Sequence, residues 1–202
     1  RGQTARARYQ PRQRLGQQVR KRAQAKEEAL KALENQSFII RMDTYEWGSG
    51  RTLLDNRTNF IKLEKGVVIM PGTILLGETE IKSGSVIGPN SYIKNSKIGS
   101  NTTLNNTQCY DSTIGSDVSA GPFVHIRPNC NIKDNVHIGN FVEVKNSTVD
   151  KGSKLPHLLY VGDSDVGKDV NFGCGCVTVN YDGRNKSRTT VKDGAFIGCN
   201  TN

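Results

Sequence analysis

From Ile69 onward, an apolar residue returns every five or six positions, and this spacing restricts the chain more than any other feature. The sites are Ile69, Leu75, Ile81, Ile87, Ile93, Ile98, Leu104, Cys109, Ile114, Ala120, Ile126, Ile132, Ile138, Val144, Val149, Leu155, Val161, Val166 and Phe172. These nineteen consecutive sites shorten the step to five at only five places. A period of six is neither the 3.6 of a helix nor the 2 of a simple sheet face. It suits a three-sided prism in which each hexad is a short strand and a bend, and three hexads make one coil of about 18 residues. The aliphatic residue of each hexad then points inward and stacks on its equivalent one coil away, at the roughly 4.8 Å spacing of paired strands. Gly follows the inward residue in Ile87-Gly88, Ile98-Gly99, Ile114-Gly115, Ile138-Gly139 and Ile197-Gly198.

A narrow core column needs few large side chains, which fits a hydrophobic share of 35% and an aromatic share of 6%. No apolar run reaches the roughly 18 residues that a membrane-crossing helix requires. After Thr178 the register breaks at Val179–Thr190, a polar stretch with an Asp182-Gly183 turn signal, and resumes at Val191 and Ile197. The break predicts a projecting loop, and such loops are where solenoids usually bind. The sequence ends at Asn202 with a coil unfinished, and it opens on Arg1 rather than Met, as in a processed product or a portion of a longer chain.

Residues 1–36 differ in kind, with ten Lys or Arg against three Glu, so they carry +7 of the net +9. Gln occurs seven times there and once afterwards, at Gln108. This segment reads as a basic arm, helical or disordered, with Leu15, Val19, Ala23, Leu30 and Leu33 spaced for a helix ending near Asn35. Three uses stay open: weak binding to RNA or DNA phosphates, the remnant of an Arg-rich targeting segment, or a solvated linker. Residues 37–60, with Phe38-Ile39-Ile40, Tyr45 and Trp47, read as a connecting segment that caps the first coil. Residues 61–202 are the solenoid.

Five cysteines (Cys109, Cys130, Cys174, Cys176, Cys199) give an odd count without a CxxC pair, and they read as reduced thiols rather than a metal site. The histidines argue against zinc as well. His125 and His137 are 12 apart, on different faces and at corner positions, and no pair has a ligand spacing. Arg127 and Lys145 are 18 apart, each directly after an inward residue, so they should stack on one edge. Stacked cations without an intervening acid repel, and a bridging phosphate would relieve them; the alternative is two solvated surface cations. Tyr160 and Asn180 fall near the same edge on the next coils, and His157 lies in Lys154-Leu-Pro-His-Leu-Leu-Tyr160 beside it.

The segments Gly121-Pro-Phe-Val-His-Ile-Arg-Pro128, Gly139-Asn-Phe-Val-Glu-Val-Lys145, Gly152-Ser-Lys-Leu-Pro-His-Leu-Leu-Tyr160, Val170-Asn-Phe-Gly173 and Asn180-Tyr-Asp-Gly-Arg-Asn-Lys186 carry a specific resemblance. Together they resemble the acetyltransferase domain of the bacterial bifunctional N-acetylglucosamine-1-phosphate uridyltransferase / glucosamine-1-phosphate acetyltransferase family. The resemblance implies an all-β, left-handed parallel β-helix of hexapeptide repeats. It also implies an acetyl-CoA-dependent N-acetyltransferase of UDP-N-acetylglucosamine biosynthesis, working as a cytoplasmic homotrimer on a sugar phosphate. By it, His157 is the general base, and Arg127, Lys145, Tyr160, Asn171 and Lys186 contact the sugar phosphate. Cys174, Asn180, Tyr181 and Cys199 fall on the acetyl-CoA side.

The family's nucleotidyltransferase domain has no counterpart here, so no metal site is expected. Its later coils lie beyond Asn202, so the expected 61–202 domain is shortened at its C-terminal end. Pro156 and Cys174 stand where the family has small residues. The competing reading is a non-catalytic structural or RNA-associated trimeric β-helix with a basic arm, and an organelle matrix is the alternative location if the arm derives from targeting.

Overall fold

The computed structural model describes the backbone of Ser37–Met42 and Asn59–Phe60 and all of residues 61–202. The expectations for the arm, residues 1–36, and for residues 43–58 lie outside the described residues. Within them every regular element is a strand, and nearly all strand pairs are parallel, one coil on the next.

The strands form three faces. Face one runs from Ser37–Met42 and Asn59–Glu64 to Thr189–Val191, nine strands in all. Face two runs from Val68–Ile69 to Phe196–Ile197, and face three from Ile74–Leu76 through Val124–Ile126 towards Tyr160 and its bridge partner Val177. Two nine-residue strands, His137–Lys145 and Lys154–Gly162, pass through the corner between faces two and three and hold both faces together. This is the three-sided solenoid that the hexad period implies, and the left-handed parallel β-helix that the resemblance implies.

The inward column is as the period predicts over most of its length. From Ile81 to Phe172 every hexad site is buried, the least enclosed being Ala120 at 4% exposure. The first two sites are not enclosed: Ile69 is 36% exposed and Leu75 is half-buried. They stand on the first strands of faces two and three, with a described coil on one side only. Coils span 16 to 18 residues rather than a fixed 18, because steps of five shorten the turn: Ile98 pairs with Ile114, Val149 with Val166, Ile126 with Val144.

A second inward column, two residues before each hexad site, went unread in the sequence. It holds Ser85, Ser91, Ser96, Thr102, Thr107 and Ser112, then mostly Val, Cys and Leu, with Ser147, Ser153 and Ser164 returning above. These hydroxyls tie coil to coil. Ser85 Oγ donates to the Gly99 carbonyl and accepts the Thr102 amide, and Thr102 Oγ1 repeats the pattern with Gly115 and Val118. Among the described residues no buried side-chain N or O lacks a partner, so these groups cost little to bury.

Residues 181–188 are exposed throughout, as the broken register predicts. The loop turns on Asp182, whose carboxylate accepts the Arg184 and Asn185 amides, and it closes through a bridge from Tyr181 to Lys186. Arg188 ties its far end to the body with paired bonds to Asp165 and further bonds to the Asn146 and Ser164 carbonyls. Pairing resumes at Thr189, two residues before the expected Val191.

Candidate active site

The corner between faces two and three carries His157. Register pairs it with Asn140 one coil below, and the Lys154–Asn171 and Asn171–Phe196 pairings carry the same column upward to Cys174 and Cys199. His157 is exposed and its Nδ1 lies 3.1 Å from Asn140 Oδ1. An amide oxygen only accepts, so Nδ1 carries a proton, and in the neutral imidazole Nε2 then bears the lone pair. That is the tautomer a general base needs.

His125 and His137 are not corner residues. His125 is the middle residue of Val124–Ile126 and His137 the first of His137–Lys145, and each faces outward between two buried neighbours, Val124 with Ile126 and Val136 with Ile138. The positive-φ corner residues are Phe123 and Asn135. Partial burial holds the His125 imidazole below its ordinary value, and Tyr110 packs edge-on against it with ring centroids 5.5 Å apart. His137 Nδ1 is 2.8 Å from Ser119 Oγ. Among the described residues no cluster of three or more His, Cys, Asp or Glu could hold a metal ion.

Three residues along the strand from His157 stands Tyr160, in register with Glu143. Its ring folds over Gly162, where an added Cβ would meet the phenol oxygen at 2.3 Å. That direction takes Tyr160 towards Lys145, the register partner of Gly162. Arg127 and Lys145 do occupy adjacent coils, but the unrelieved repulsion expected between them does not exist. Arg127 pairs with Glu143 at 2.9 Å and Lys145 with Asp163 at 3.2 Å. Both carboxylates were missed, although Asp163 stands 18 residues after Lys145. The Asp163 partner holds the Lys145 ammonium above its ordinary value, and Lys186, at the end of the loop, comes beside it. The cluster therefore sets three cations against two carboxylates.

Asn180 is 9% exposed and donates its amide to Asp163, which draws the base of the loop into this cluster. Tyr181 next to it is exposed, its hydroxyl donating to the Gly183 carbonyl. Asn171 is not brought to the cluster: it stacks on Lys154 on face two, across the corner from Tyr160. Cys174 is half-buried and Cys199 exposed, both free thiols, whereas Cys109 is sealed in the core and pushed up to about 12 by burial. A shallow depression of about 280 Å³ lined by Asn90, Asn106, Gln108, Phe123, Val124 and His125 lies coils below His157 and touches none of these cations.

A stacked hexapeptide solenoid with an exposed corner histidine and a cationic edge is the architecture of a hexapeptide-repeat transferase, and a profile of that class, bacterial transferase hexapeptide (six repeats), matches residues 60–95 and 111–146. More particularly, over 158 residues the chain is 53% identical to the bifunctional protein GlmU of Geobacillus sp. (strain WCH70), covering 76% of this chain and 34% of that protein. Over 166 residues it is 45% identical to the bifunctional protein GlmU of Clostridium acetobutylicum, covering 80% and 36%. The chain spans about a third of the length of the curated relatives it matches. A solved structure of a putative acetyltransferase from Bacillus cereus aligns with a TM-score of 0.37 at 14% identity, covering 70% of this chain and 71% of that one. The resemblance to the acetyltransferase domain, drawn above from five motifs, is borne out by the GlmU relatives.

Proposed function

We propose that the chain is an acetyl-CoA-dependent N-acetyltransferase domain acting on glucosamine-1-phosphate, a step towards UDP-N-acetylglucosamine. The observation that carries this reading is the His157–Asn140 bond at 3.1 Å, which orients the ring so that Nε2 is the acceptor of the neutral imidazole; the cations stand at the far end of face three, where Lys145 pairs with Gly162, rather than beside His157 as the sequence suggested. An amine attacks a thioester carbonyl only once its nitrogen bears a lone pair. His157 Nε2 takes the proton as the nitrogen–carbon bond forms, and the thiolate then leaves as the tetrahedral adduct collapses. Arg127, Lys145 and Lys186 outnumber their acidic partners and attract a phosphate dianion, while Tyr160 presents its phenol beside Lys145. Cys174, directly above His157, has a backbone N–H that no backbone carbonyl accepts among the described residues, and it is available to the developing oxyanion.

The residues divide between two faces, with Asn171 across the corner from Lys145. A site that uses both is built between subunits, which supports a homotrimer. The corner itself supports it further. Phe123, Phe141 and Leu158 stand one per coil, each more than half exposed, with the two rings stacked at 5.3 Å. Exposed apolar ridges of this kind mark association surfaces. The domain in this reading works in the bacterial cytoplasm.

The test is thiol release from acetyl-CoA with glucosamine-1-phosphate as acceptor. Lys145→Ala is expected to raise KM for the phosphorylated sugar about tenfold or more with a smaller change in kcat, since it removes a contact present in both ground and transition states. Absence of acetyl transfer by this chain and by longer versions with further coils would retire the reading.

A further inference from the structure

Each corner between faces three and one presents a residue at positive φ, and the column contains two aspartates, Asp111 and Asp163. Asp111 shows what such a residue does for the fold alone: it is exposed and accepts a single amide bond, from Asn95 at 2.9 Å. Asp163 is built differently. It is 7% exposed, and its carboxylate accepts Asn146 Nδ2 at 2.6 Å, Lys145 Nζ at 3.2 Å and the Asn180 amide. Its carbonyl takes the Thr189 amide where the chain returns from the loop. The carboxylate thus joins the coil below, through Lys145 and Asn146, to the Asn180 end of the loop above, and the backbone carbonyl of the same residue holds the Thr189 end.

We propose, resting on the acetyltransferase reading above, that Asp163 is a positioning residue that sets Lys145 for the acceptor phosphate and Asn180 for the acetyl donor. Neither contact is needed to turn the corner, as Asp111 demonstrates. A fully hydrated carboxylate would also fail at the task, because a charge-assisted bond orients its partner only where water does not compete. Asp163 opposes the phosphate electrostatically, being an anion next to the site, yet its geometry prepares the site. These two effects have opposite signs, and that makes them separable.

Asp163→Asn keeps the shape and the tolerance for positive φ and removes the charge. Binding of glucosamine-1-phosphate and of coenzyme A to the 202-residue chain is measured by calorimetry, and acetyl transfer by thiol release. Positioning predicts at least a fivefold weaker Kd for both ligands in Asp163→Asn. It further predicts that the variant adds no more than about twofold to the acceptor Kd when Lys145 is already Ala, or to the donor Kd when Asn180 is already Ala. A structural role would instead multiply through unchanged in the double variants, and an electrostatic role would tighten acceptor binding; either result overturns the proposal. Should Asp163→Asn fold poorly, Asn146→Gly removes one holder of the carboxylate while accepting the positive φ. It is then expected to weaken both ligands in the same ratio at smaller size, and unchanged affinities would overturn the proposal. If the unaltered chain neither binds nor acetylates the sugar phosphate, the functional reading fails with it, whereas an active chain with a silent Asp163→Asn refutes this inference alone.

Discussion

Two corners of the same prism solve the same backbone problem with opposite residues. Between faces three and one, the positive-φ positions are Gly77, Asn95, Asp111, Asn129, Asn146 and Asp163. Gly and the short polar side chains tolerate that conformation and bond locally. Between faces two and three, the same turn begins with Gly72, Asn90 and Asn106 and then switches to Phe123, Phe141 and Leu158, before Gly175 and Asn200 restore the rule. Bulky residues in the left-handed region cost about 1–2 kcal/mol each, and these three are also exposed. The departure is confined to the coils around His157. A fold needs only that the corner turn, and three strained apolar residues in a row are the feature that supports the proposed subunit interface.

The comparison breaks most visibly at His157 itself. His157→Ala is expected to lower kcat on the order of 10²- to 10⁴-fold with little change in acceptor binding, measured by steady-state kinetics. A normal kcat would move the base elsewhere and leave this corner without chemistry. Next in size, replacing Phe123, Phe141 and Leu158 together with Asn makes this corner like the others. The variant is expected to remain folded by circular dichroism and to lose self-association by light scattering, and persistence of the trimer would place the interface elsewhere.

The reverse exchange sharpens the contrast. Asn135→Phe, on the corner between faces one and two, should cost about 1–2 kcal/mol in denaturant unfolding and add no association, whereas Asn135→Gly should stay within about 0.5 kcal/mol. The smallest effect is a pH dependence. The amide of Asn146 and the ammonium of Lys145 hold the Asp163 carboxyl below the usual range. Its folded value is depressed, so its contribution is complete above the unfolded value of about 3.9 and fades as pH falls through the lower folded value. The difference in Tm between the native chain and Asp163→Asn should accordingly shrink on acidification below about pH 4, and a constant difference down to pH 2 would mean that the charge is not what matters.

The hexad period made the solenoid legible because each inward aliphatic repeats one geometric fact. It did not reveal the second inner column, since Ser, Thr, Val and Cys share size rather than polarity and leave no hydropathy signal. The site was legible in part. His157, Arg127 and Lys145 were found from motif and stacking, and the break at Val179 located the loop. Glu143, Asp163 and Asn140 were overlooked because the arithmetic was not applied to acids or to the partner of His157, though a step of about one coil leads from Arg127 to Glu143, from Lys145 to Asp163 and from His157 to Asn140. Asn171 came from the resemblance alone, and counting hexads from Val144 through Val149, Leu155, Val161 and Val166 to Phe172 already puts it on face two rather than beside Lys145.

The buried hydroxyls at Ser85, Thr102 and their equivalents close every bond within one coil of its neighbour. Length is therefore quantised. Removing or duplicating one whole coil between Ile81 and Ile114 would rejoin identical donors and acceptors and leave none orphaned, whereas removing half a coil would set a hydroxyl against a carbonyl on the wrong face. Lineages carrying this scaffold can change length by whole turns at little cost, and the spacing from a lower coil to His157 can vary by insertion while the corner chemistry stays intact.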